Sequence, residues 1–160
     1  MKKLMMITVS VVLGLCLAGN ALADVEADKQ ECVAKTEAAA AMMKNEGLVA
    51  ALAETNKKDG KFVQGTIYVF TMNLDGVMIA HPMKPNLIGK NMLDFKDAAG
   101  KEFFKDFIAV AKDPGSGWVE YMWPKPGEDD PVAKISYILR VDLTFGDSVE
   151  QYLVGAGVYK

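Results

Sequence analysis

Histidine and cysteine are almost missing from this chain. Its 160 residues hold one histidine, His81, and two cysteines, Cys16 and Cys32. So few imidazole and thiolate groups disfavour a dedicated transition-metal site. There is no CxxCH haem attachment and no HExxH pair, and no cofactor is expected. Catalytic patterns are missing too. The chain has no GxSxG elbow, no nucleophile close to a base, and no paired carboxylates among aromatics. A catalytic constellation needs placed acid, base and nucleophile, so the expectation is a protein that is not an enzyme. Basic charge is also scarce. Removing Lys2 and Lys3 from the 18 basic residues leaves 16 against 21 acidic ones, a net charge of −5. That argues against nucleic acid or anionic lipid as the main partner.

Long apolar runs are absent beyond the first residues. Lys2 and Lys3 precede an apolar stretch from Leu4 to Ala18, and Ala21-Leu22-Ala23 sets small residues where a signal peptidase cuts. The run is short for a spanning helix, which needs about 20 apolar residues. Residues 1–23 therefore read as a cleaved signal peptide, with residues 24–160 forming one domain in the periplasm. Leu15 before Cys16 is too large for a lipoprotein signal. Cys32 is then the one remaining cysteine. It is expected to be a small buried apolar group, the alternative being a link between two chains.

Residues 24–55 are rich in Ala, Glu, Lys and Met and lack proline, as helices do. Val25, Cys32, Ala39, Met43 and Val49 recur near helical spacing. Gly47 marks a break. After Asp59-Gly60 the pattern changes to period two, with Ile67 and Val69 facing one way and Tyr68, Phe70 and Met72 the other. Asn73-Leu74-Asp75-Gly76 is a hairpin turn, and Val77 to His81 is the returning strand, ended by Pro82. Residues 97–112 read as a connector and an amphipathic helix carrying Phe103, Phe104 and Phe107. Further strands are expected at 118–123, 132–142 and 152–159. Glu128-Asp129-Asp130 lacks the ligand spacing of a calcium loop and reads as solvated. Segregated helices and strands, rather than alternating βαβ units, predict an α+β fold with an antiparallel sheet.

The segments GTIYVFTMNLDGVMIAHP, NLIGKN, DAAGKEFF, GSGWVEYMWPKP, PVAKISY and VGAGVY, in that order, resemble the small single Cache domains, type two, of bacterial extracytoplasmic sensing. The resemblance covers nearly all of residues 24–160. It implies a PAS-like fold: a long N-terminal helix behind a five- or six-stranded antiparallel sheet, with a ligand cavity on the other face. It also implies binding of small organic molecules, often short carboxylates, without chemistry. Such domains usually sit on a transmembrane receptor and serve chemotaxis and signal transduction. This chain stops at Lys160, which points to a free-standing secreted form.

The expected ligand-binding residues are Tyr68, Phe70, His81, Tyr121, Trp123, Lys134 and Tyr137. The aromatic rings would form walls. His81, with a pKa near neutrality, would donate to an anion, and Lys134 would supply the fixed positive charge. Lys134 and Tyr137 face opposite ways by simple alternation, so a bulge would be needed to bring both to one cavity. The functional expectation is a binding module for a short organic acid, presenting it to a membrane receptor or sensor kinase. The alternative is a ligand-free domain that docks on a receptor, or on its own twin through the N-terminal helix.

Overall fold

The computed structural model describes the backbone from Leu15 and side chains from Asp24. Residues 1–14, most of the leader read at 1–23, lie outside the described residues. Helix α1 (Leu15–Asn45) is followed by α2 (Leu48–Thr55). Gly47 separates them at φ 92°, a left-handed conformation that favours glycine. Cys32, Thr36, Ala39, Ala40 and Met43 are the buried face of α1. Their spacing of four, three, one and three residues keeps them on one stripe. That stripe ends at Met43. Val49, expected to continue it, falls after the break and is 83% exposed.

The strands are β1 (Val63–Gln64), β2 (Ile67–Asn73), β3 (Met78–Ala80), β4 (Ser116–Pro124), β5 (Pro131–Phe145) and β6 (Ser148–Tyr159). They form one six-stranded antiparallel sheet in the order β1-β2-β6-β5-β4, with β3 also paired to β2. Helix α3 (Phe103–Lys112) and a 3₁₀ turn at Pro85–Leu87 lie in the connections. The expected α+β architecture is what the chain adopts. Strand lengths differ from the sequence reading. β3 keeps three of five residues, with a register shift in the β2–β3 pairing between Thr71 and Met72. β5 and β6 run to a tight hairpin at Gly146. Their tips are more polar than their centres, so hydropathy alone shortens them.

β2 is buried from Ile67 to Met72 on both sides. Such a strand needs cover on both faces. Ile67, Val69, Ile135, Val141, Val154, Ala156 and Val158 form a core with α1. Tyr68, Phe70, Tyr121, Trp123, Ile138 and Leu153 form a second core with α3. Fully burying each of these larger apolar side chains contributes roughly 1.5–3 kcal/mol. Cys32 lies in the first core, fully buried and unpaired. Burial pushes its thiol up to about 12, so the group is inert packing.

Candidate ligand-binding site

The second core surrounds the candidate site. β2 brings Tyr68 and Phe70 to this face, β4 brings Tyr121 and Trp123, and β5 brings Lys134 and Ser136. α3 closes the top with Phe103, Phe104 and Phe107. The chamber between these rings, Met78 and His81 has about 10 Å³ for the centre of a water molecule, room for about one water. Phe103 stacks on Tyr121 at 4.2 Å, and Phe107 stacks on Phe70 at 5.5 Å.

His81 ends β3, where Pro82 stops the strand. Asn56, just past α2, accepts the His81 backbone N–H at 3.0 Å. The ring lies 5.1 Å from Tyr68, 6.3 Å from Phe70 and 6.3 Å from Trp123, centre to centre. Its Nδ1 accepts the Lys84 backbone N–H at 3.0 Å, which leaves Nε2 to carry the proton. Burial, then the charges of Lys134 and Lys84, lower its pKa to about 3. The imidazole is therefore a neutral donor. This corrects the expectation of a pKa near neutrality, and the reason is burial, which disfavours the ionised form.

Lys134 is 1% exposed. Its Nζ sits 4.0 Å from the centre of the Tyr68 ring and 4.7 Å from that of Tyr159. No hydrogen-bond acceptor reaches it among the described residues. Lys134 flanks the chamber without lining it, beside Tyr121, its cross-strand partner. Its stem has room because residue 157 is glycine. A Cβ there would come within 2.9 Å of Lys134 Cε and 2.1 Å of Ser136 Oγ. Ser136 Oγ and the Tyr121 hydroxyl are hydrogen-bonded at 2.9 Å.

Six of the seven expected residues converge: Tyr68, Phe70, His81, Tyr121, Trp123 and Lys134. Tyr137 does not. The β4–β5 register runs without a bulge from Ser116↔Leu139 to Pro124↔Pro131, so alternation holds and Tyr137 faces away from Lys134. It packs at 5.3 Å on Trp118, above which sits Lys29 of α1. Sequence reasoning missed the three α3 phenylalanines as walls and Tyr159 as the second ring against Lys134. The sequence signal for the phenylalanines was a helix with Phe at positions 103, 104 and 107. It also missed Asp97, which accepts backbone N–H bonds from Ala99, Lys101 and Met122, each at 2.9 Å, and so ties the connector before α3 to β4. Burial pushes its carboxyl up, and these donors outweigh that and leave it lowered.

Among the described residues no group of three or more His, Cys, Asp or Glu could hold a metal ion. No helix there is long and apolar enough to cross a membrane.

Residues 21–143 match the Cache domain family. Over 92 residues the chain is 36% identical to the methyl-accepting chemotaxis protein McpP of Pseudomonas putida, a span of 58% of this chain and 16% of that protein. It is 34% identical over 92 residues to the sensor histidine kinase MctS of Rhizobium johnstonii, covering 58% of this chain and 18% of that one. The matched span is thus less than a fifth of either relative. Among solved structures, the periplasmic sensor domain of a chemotaxis protein is similar at TM-score 0.64 and 28% identity, over 90% of this chain and 98% of that one. A Cache chemosensory domain, solved for its recognition of carboxylic acid, is similar at TM-score 0.61 and 28% identity, over 89% and 95%. The chain belongs to the Cache domain family, whose members here are the sensor domains of chemoreceptors and histidine kinases.

Proposed function

We propose that this Cache domain binds a short monocarboxylate in the aromatic chamber and passes its occupancy to a membrane signalling partner in the periplasm. The observation that carries the reading is the Lys134 ammonium, buried between two tyrosine rings with no acceptor. An unpaired buried charge is costly, and the ring faces offset only part of that. A ligand carboxylate would complete the pairing with a charge-assisted hydrogen bond. The neutral His81 Nε2–H and the Tyr121 hydroxyl are further donors within the same cluster. The small free volume favours two- or three-carbon acids, with the walls shifting outward around them. That a similar domain recognises carboxylic acid supports this class. A signal peptide cleaved before Asp24 would deliver the domain to the periplasm, and intact mass of the exported protein checks that step.

The test is a thermal-shift screen with acetate, propionate, pyruvate and lactate, with ammonium and amino acids as controls. At a hundred times its dissociation constant a ligand stabilises the fold by about 2.7 kcal/mol. A melting temperature raised by a monocarboxylate and by no amine is the expected result. No response to any acid would leave the ligand-free docking domain as the better reading.

A further inference from the structure

Of the nine side chains around the chamber, Trp123 alone also borders a second void among the described residues. That outer hollow measures about 290 Å³, and Lys84, Leu87, Phe95, Lys96, Trp123 and Pro131 are among its walls. The indole therefore stands between the chamber and the hollow. Other walls carry ties of their own: the Tyr121 hydroxyl is bonded to Ser136, His81 is held through Nδ1 and its backbone, and the α3 phenylalanines interlock. Among the described residues, no acceptor is recorded for the Trp123 indole N–H. Its outer contacts are Phe95, edge-on at 5.7 Å and 39% exposed, and the Lys84 ammonium, 5.7 Å from its ring.

The charge around the hollow opposes that of the domain. Lys84 makes no salt bridge among the described residues, and Lys96 reaches Glu102 only at 4.0 Å. The one carboxylate in the lining, Asp97, is occupied by three backbone N–H groups. Glu128, Asp129 and Asp130 lie in the loop between Pro124 and Pro131 but do not line the void. A cationic concavity on an acidic domain concentrates anions locally. The chamber itself is too small to take an organic acid without a wall moving. We infer that the outer hollow is an anion-collecting vestibule and that Trp123 is the wall that moves to admit a ligand to the chamber. The inference builds on the acid-binding reading, but its test uses no acid, so the two can fail separately.

His81 is the only histidine and stands inside the chamber, so its modification by diethyl pyrocarbonate in untagged protein reports access. Trp123→Ala should speed that reaction by about tenfold or more, with Trp123→Phe intermediate, since opening no longer requires the indole to move. Ile108→Ala, a truncation in the same core that lines neither the chamber nor the hollow, should leave the rate within about threefold of wild type. Equal rates in wild type and folded Trp123→Ala or Trp123→Phe, or an equal gain from Ile108→Ala, would overturn the gate. The vestibule is read in Trp118→Phe protein under tryptophan-selective excitation, where Trp123 is the only tryptophan. Iodide should quench it several-fold better than caesium, and the preference should vanish in Lys84→Gln/Lys96→Gln. Equal quenching by the two ions, or a preference that survives both substitutions, would overturn the vestibule.

Discussion

Lys134 holds a charge where the fold supplies no acceptor. Such a group destabilises the empty protein and is useful only when something pairs with it. Lys134→Met keeps much of the stem's volume and removes the charge. The empty variant should be as stable as wild type or more so by thermal melting, since replacing a buried charge with a well-packed apolar group is often neutral or stabilising. Its affinity for the acid found in the screen should fall about ten- to a hundredfold by calorimetry, the loss of one charged hydrogen bond. A large loss of stability without ligand would mark Lys134 as a packing residue. His81 gives a second prediction at this scale. Its folded pKa is about 3 against an ordinary 6.5, lowered by burial and by Lys134 and Lys84. The unfolded chain therefore takes up a proton that the folded chain refuses. The stability linked to His81 is full above pH 6.5 and is lost as pH falls from there towards about 3. Urea unfolding at several pH values should show this slope, and His81→Asn should flatten it. Acid affinity should stay level between about pH 6 and 8, because the imidazole is neutral throughout. The sequence alone pointed to a histidine titrating near neutrality, since the depth of burial that decides its charge is set by α3 and β4, distant in the chain. The separation of Tyr137 from Lys134, by contrast, was legible in strand alternation alone.

Elements hold the site through close approach. β6 carries no side chain at 155 and 157, and β2 and β5 fill the space. A Cβ at 155 would fall 2.6 Å from Phe70 Cζ and 2.8 Å from Ile138 Cδ1. Gly157→Ala should cost about 1–3 kcal/mol in urea unfolding, as overpacking does, and should weaken acid binding by displacing the Lys134 stem. An unchanged stability and affinity would show that the β5–β6 contact yields more easily than the geometry indicates. Asp97 works at the same scale, fixing the connector before α3. Asp97→Ala leaves three backbone donors without their acceptor, at a cost of about 1.5–3 kcal/mol, and should loosen the phenylalanine lid. The helices and five of the six strands were legible in hydropathy periods, because each buries one face or two. β1, with two residues, was not. Nor was the role of Asp97, since a carboxylate bound to a backbone 25 residues away leaves no local pattern.

At the scale of the whole molecule, the sheet separates two cores with different compositions. The α1 side is filled by Ala, Val and Ile, and the α3 side by aromatic rings, His81 and Lys134. The two-sided apolar pattern of β2 implies cover on both faces, and says nothing of how tightly that cover packs. The most direct test of the central claim is a crystal structure grown with the acid that gives the largest thermal shift. The expected result is a carboxylate about 3 Å from Lys134 Nζ, with the Trp123 indole moved toward the outer hollow to make room. A carboxylate bound elsewhere, with Lys134 still unpaired between Tyr68 and Tyr159, would contradict it.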